Sequence, residues 1–160
     1  MSAAARTPAE LLVAYRHGPA LLRQTVEDMT PEQLVARPVP GKLSSIEVAC
    51  HVVDSDQFMC DRMKRVIATD RPLLVGVESI DYPGPLRYQE RDLGLDLRLL
   101  DVQRQQMAAD IEALPAEAWQ RIGIHTEIGA VTFYDLFDHA VEHLEDHVER
   151  IREKRAALGI

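Results

Sequence analysis

The chain has 160 residues, 46% hydrophobic and 5% aromatic, with 26 acidic against 18 basic residues and a net charge of −8. That length suits one domain over residues 1–160 with a sizeable core, and the acidic balance opposes a phosphate-binding surface, so no nucleic-acid partner is expected. No apolar run approaches the ~18 residues of a membrane span and no charged-then-apolar leader opens the chain, so no membrane partner and a cytoplasmic location are expected.

The first long helix has clear start signals: Thr7 as N-cap, Pro8 in the first turn and Glu10 closing a capping box. Leu11, Tyr15, Gly18, Leu22, Val26 and Met29 then recur at helical spacing. Pro19 has no N–H for the Tyr15 carbonyl, so a kink is expected at Gly18-Pro19, and His17 just before it reads as a surface residue. Thr30-Pro31-Glu32-Gln33 starts a short helical turn that Arg37-Pro38-Val39-Pro40-Gly41 stops. Ser44 and Glu47 cap a second long helix running to about Ala68. Its seam, Val48, Val52, Ser55, Met59, Met63 and Val66, alternates spacings of four and three, the pattern of a helical bundle. Cys50 and Cys60 lie on this helix, ~15 Å apart along its axis and beyond disulfide reach, which fits a reducing compartment and packing roles.

Residues 70–90 are broken by Pro83, Gly84 and Pro85 and read as a long irregular crossover. Leu73, Leu74, Val75, Val77 and Ile80 should pack it over one end of the bundle, and its length lets the second and third long helices run parallel. The third long helix spans about Asp92 to Leu114, with Leu93, Leu97, Leu100, Met107, Ile111 and Leu114 in four-three spacing. Arg104 occupies the remaining seam position. It either snorkels to the bundle edge or turns into a pocket to hold a substrate anion. Pro115 ends that helix, Trp119 anchors the connector, and His125–Gly129 forms a turn or a short extended piece. Thr132 and Asp135 box the last helix, Thr132–Arg155.

Three of the six histidines, His139, His143 and His147, sit on that last helix, four residues apart and so on one face. Two such imidazoles can meet on one divalent ion, although a histidine on a charged helix is ordinarily just solvated. With His143 at zero and ~100° per residue, Phe133, Phe137, Ala140, Leu144 and Ile151 fall between roughly 60° and 120°. His147 lies at ~40°, against that apolar stripe, and His139 at ~−40°, towards solvent. The pair bordering the core is therefore His143 and His147. His51 borders the stripe of the second helix in the same way. Opposite the pair, it is the natural third ligand.

The stretch Gly41-Lys42-Leu43-Ser44-Ser45-Ile46-Glu47-Val48-Ala49-Cys50-His51-Val52-Val53-Asp54 resembles the G-K-W-S-x-x-E-v-x-x-H-l-x-D opening of the DinB-like superfamily. His143-Leu144-Glu145-Asp146-His147 resembles that family's closing H-x-x-x-H. Leu114–Trp119 and the Gly129-to-Thr132 approach to the last helix are also similar. The resemblance implies an all-α four-helix bundle of up-down-down-up topology, in which His51, His143 and His147 hold zinc, nickel or a similar divalent ion. It also implies a homodimer, to which Leu95, Leu99 and Val102, apolar residues beyond what the seams need, lend some support. Leu43 stands where the family has tryptophan, a change of packing. Glu149 stands where the family has glutamine, which removes a neutral hydrogen-bonding group from the neighbourhood of the site.

Three imidazoles leave positions on a divalent ion for other ligands. Such an ion lowers the pKa of a coordinated water or thiol. Glu47 and Asp54, four and three residues from His51, are candidates to fix the imidazole tautomers. The function expected is that of a divalent-metal-dependent enzyme acting on a small molecule, by hydrolysis or by group transfer to a low-molecular-weight thiol cofactor. A non-catalytic metal-binding or partner-binding bundle is the alternative.

Overall fold

Each long helix starts where a side chain takes up the free amides of its first turn. The computed structural model describes residues 5–77 and 79–160. In it, α1 (Pro8–Val26) is closed by the Thr7–Glu10 capping box and the short α2 (Pro31–Val35) by Thr30–Gln33. The Ser44–Glu47 box opens α3 (Ser45–Ala68), Asp92 caps α4 (Leu93–Glu112), and Thr132–Asp135 opens α5 (Phe133–Leu158). The last helix runs three residues past Arg155 and stops at Gly159, whose φ of 76° suits a left-handed cap.

The apolar stripes form the core. α5 packs on α1 and α3, and α4 packs on the same two, so the ring runs α1–α5–α3–α4. The four-helix bundle is up-down-down-up, and the long connection between α3 and α4 lets these neighbours run parallel. Phe133, Phe137, Ala140, Leu144 and Ile151 are all buried, as are Val48, Val52, Met59, Met63 and Val66 facing them from α3. The first half of α3 is buried on nearly every side, because α2 and Tyr88 in the crossover cover the face away from the bundle. Cys50 and Cys60 are free, buried packing residues, with Cys60 Sγ 3.4 Å from the Tyr15 hydroxyl. Trp119 anchors its connector edge-on against Phe133, with ring centroids 5.2 Å apart.

The crossover is less irregular than expected. Its residues Leu73–Leu74 form β1, which pairs in parallel with β2 (Ile122–His125), itself antiparallel to β3 (Gly129–Thr132). The stretch read as a turn or short extended piece is therefore the tip of a hairpin, joined to the crossover by two residue pairs, Leu73 with Ile124 and Leu74 with His125. Of the crossover's apolar residues, Leu74 is buried, but Leu73, Val75 and Ile80 are exposed. Alternation along an extended segment turns successive side chains to opposite faces, so only one of the pair Leu73-Leu74 can reach the core.

The expectation for Arg104 is corrected. Arg104 neither snorkels to the edge nor reaches into an open pocket; it is 2% exposed and its anion is internal. Its Nε and Nη2 donate to Asp56 Oδ1 at 2.9 and 2.6 Å, and Gln103 donates to the other carboxylate oxygen. The guanidinium lies 4.2 Å over the Tyr15 ring and donates to the Ala140 carbonyl at 2.9 Å. It also donates to the Tyr15 carbonyl at 3.3 Å, the acceptor that Pro19 leaves without its helical partner. The helix α1 continues through Pro19 to Val26. Gly18 makes room for this contact, since a Cβ there would sit 2.6 Å from Arg104 Nη1.

Candidate metal centre

His51 enters the bundle from the second turn of α3, and His143 and His147 from the middle of α5. One ring nitrogen from each lies within 4.8 Å of the others. The His143 and His147 rings are 4.1 Å apart at their centroids, and His51 lies 5.2 and 4.9 Å from them. His147 Nδ1 donates to the His143 backbone carbonyl at 2.7 Å, which leaves Nε2 as its free lone pair. His51 Nδ1 is buried and has no hydrogen-bond partner among the described residues. Three converging imidazoles with an unpartnered buried nitrogen fit a divalent metal ion.

The electrostatics favour neutral, ligand-ready rings. Burial, reinforced by repulsion from His147 and His51, pushes His143 down to about 2. Burial takes His147 down to about 4 against the opposing pull of its bond to the His143 carbonyl. Burial also lowers His51, assisted by Arg150 and opposed by the Ser79 backbone and Asp54. All three groups are depressed in the folded state, so the stability they permit is complete above the unfolded value of ~6.5. As pH falls below that value the unfolded chain takes up protons that folded His143 and His147 refuse until about 2 and about 4. Between pH 6 and 4 the metal-free protein should lose about 1.4 kcal/mol per pH unit for each of the two rings. Urea melts in chelator across that range should show this slope, and His143→Leu/His147→Leu should lose most of it. An unchanged slope in the double variant would contradict the assignment.

The remaining histidines stay apart. His139 is exposed, its ring 5.9 Å from that of His143. His17 is exposed on α1, and His125 is turned into the hairpin, where its Nδ1 accepts the Glu127 amide. Neither carboxylate expected to orient His51 does so. Glu47 is consumed by the cap of α3, accepting from the Ser44 amide at 2.8 Å, and by Arg37 Nε at 3.0 Å. Asp54 accepts from the Tyr88 hydroxyl at 2.7 Å and from both terminal nitrogens of Arg91. The tautomer of His147 is instead fixed by a backbone carbonyl. Glu149, which stands where the family has glutamine, is exposed and paired with Arg152. Leu43 packs half-buried beside the core group that includes Val48 and Val148.

A cleft of about 510 Å³ opens onto His51 and His147 between Gly41–Leu43, Ile80 and the end of α5. A smaller cavity of about 130 Å³ reaches His143 from the side of Ser55, Arg62 and His139. Sequence reasoning missed the cleft's basic residues, although a signal for them existed. On the wheel that puts His143 at zero, Arg150 falls at ~−20° and Lys154 at ~20°, in line with the metal-facing edge of the stripe.

The family model described as the DinB superfamily matches residues 14–151, a span that includes all three histidines. The chain belongs to the DinB superfamily. Among solved structures, this DinB-superfamily chain is similar to YfiT from Bacillus subtilis, with a TM-score of 0.90 at 20% identity. The likeness covers 99% of this chain and 93% of that one. YfiT is described as a probable metal-dependent hydrolase with an unusual four-helix bundle topology. No curated protein matches the chain. Among the described residues, no helix of this superfamily member is long and apolar enough to cross a membrane.

Proposed function

We propose that this DinB-superfamily protein is a metal-dependent enzyme in which His51, His143 and His147 hold a zinc or nickel ion and a small-molecule substrate enters by the adjoining cleft. The observation that carries this reading is the convergence of three neutral imidazoles from two helices at a cleft of about 510 Å³. Its volume lies in the range of small-ligand sites. When bound, the ion supplies Lewis acidity, lowering the pKa of a coordinated water or thiol towards neutrality. The chain's own residues do the rest. The His143 carbonyl holds His147 in the tautomer that leaves Nε2 free, and burial keeps the rings unprotonated at neutral pH. Leu43, Val48 and Ile80 give the cleft an apolar side on which the substrate can rest. Hydrolysis is the favoured reaction, in keeping with the description of YfiT, and transfer to a low-molecular-weight thiol is the second possibility for the same site.

Elemental analysis of untagged protein tests the metal. A near-stoichiometric divalent ion is expected, removable by chelator and restorable with recovery of esterase, amidase or thiol-transferase activity. Absence of metal uptake would sink the reading, and metal uptake without metal-dependent turnover would favour a non-catalytic bundle.

The same reading includes a homodimer, with neither nucleic acid nor membrane as partner. Leu95, Leu99 and Val102 on α4 are 55%, 43% and 65% exposed, more apolar surface than the bundle itself uses. Light scattering at micromolar concentration should give twice the 18.0 kDa chain mass. A monomer throughout that range would refute the dimer.

A further inference from the structure

We propose that the cationic wall of the cleft is an anion subsite, in which Lys154, Arg150 and Lys42 take the carboxylate or phosphate group of the substrate.

The two buried cations among the described residues make the argument. Arg104 and Lys154 are each 2% exposed. Arg104 has its counter-ion built in, the Asp56 carboxylate at 2.6 Å. Lys154 has none: among the described residues no carboxylate lies in ion-pair range of its ammonium, which donates only to the Arg150 carbonyl at 3.0 Å. A buried ammonium without a counter-charge is costly, and the cost is relieved when an anion arrives.

The surroundings point the same way. Lys154 lines the cleft that contains His51 and His147, together with Lys42 and Arg150, which also lack an ion-pair partner among the described residues. Glu153 is the one carboxylate in that lining, so the wall carries three cations against one anion within a protein of net charge −8. Burial holds Lys154 below a lysine's ordinary pKa; Glu153 pulls it up while Arg150 and Lys42 push it down, so the cations feel one another. Arg150 also depresses His51 and His147, placing its positive charge beside the imidazoles. Because Arg150 and Lys154 follow His143 and His147 along one face of α5, a ligand lying along that helix meets the imidazoles and then the cations. A small molecule with an anionic group at one end and its reacting bond at the other fits this order. A neutral apolar substrate would leave Lys154 uncompensated.

Assigning the anion to a substrate rests on the metal-dependent reading above, whereas the anion site itself does not. The test uses inorganic phosphate and acetate as probes, at constant ionic strength and with chelator present, followed by amide NMR shifts of the full chain. Saturable shifts confined to residues 41–43 and 150–154 are expected, and preference between the probes identifies the anion. Lys154→Met should weaken binding tenfold or more, Lys154→Arg should retain it within about threefold, and exposed Arg150→Gln should weaken it by about threefold or more. Lys154→Met removes an unpaired buried charge and should fold at least as stably as the parent, while exposed Arg150→Gln gives an independent check. Metal affinity, measured separately by isothermal titration, should change less than threefold in Lys154→Arg and should not weaken in Lys154→Met or Arg150→Gln, each of which removes a positive charge from the imidazoles' side of the cleft. Shifts that do not saturate, or equal phosphate and acetate affinities in the parent and Lys154→Met, would overturn the subsite. Loss of metal binding with intact anion binding would instead overturn only the metal-dependent reading.

Discussion

Asp56→Ala is expected to destabilise the bundle by about 3–5 kcal/mol, the cost of leaving one member of a buried ion pair alone. Asp56 is 1% exposed and Arg104 2%, so water cannot replace the lost carboxylate without opening the core. The guanidinium would keep two carbonyls, of Tyr15 and Ala140, and the face of the Tyr15 ring, none of which carries a full negative charge. These contacts tie α4 to α1, α3 and α5 at one point, so the loss should appear as a fall in global stability. Urea unfolding measures it. Asp56→Leu/Arg104→Met should recover most of the loss, because removing both charges also removes their desolvation cost. A loss of less than ~1 kcal/mol for Asp56→Ala would mean that solvent reaches the pair.

Alanine at His51, His143 or His147 should weaken divalent-metal affinity tenfold or more, on the order of 1.4 kcal/mol at least. Each supplies one of three nitrogens within 4.8 Å, so each loss leaves a two-ligand site. Alanine at His139, His17 or His125 should leave affinity within about threefold, less than ~0.7 kcal/mol. His139 is the informative control, because it shares the face of His143 but points to solvent. Isothermal titration on the six variants decides the ligand set. If His139→Ala abolished binding while His147→Ala spared it, the helical register underlying the site would be wrong. Thermal melts add a linked check: saturating metal should raise the melting temperature at pH 7.5 and lose that effect in acid, where protons displace it from the imidazoles.

The sequence by itself determined whatever depends on neighbours within about one helical turn. The capping boxes Thr7–Glu10, Ser44–Glu47 and Thr132–Asp135 and the helix start at Thr30 were legible because each is closed within three residues. The burial of Phe133, Phe137, Ala140, Leu144 and Ile151 followed from helical geometry, and so did the preference for His147 over His139. His51 could be matched to them because it borders a seam of its own. What only the tertiary structure decided was the partner of each polar side chain that reaches beyond its own helix. Arg104 meets Asp56 from 48 residues away, Asp54 is taken by Tyr88 34 residues on, and no local spacing announces either pair. Glu47 was misassigned because its carboxylate is held by the Ser44 amide and by Arg37, ten residues before it, rather than by His51. The sheet was missed for a related reason: β1 is two residues long, and its pairing with β2 exists only once the bundle has brought residues 73–74 beside 124–125. Lys154 shows the division most clearly. Its place on the histidine face can be read from the wheel, but its burial without a counter-ion arises only where the end of α5 and the loop before α3 close over it.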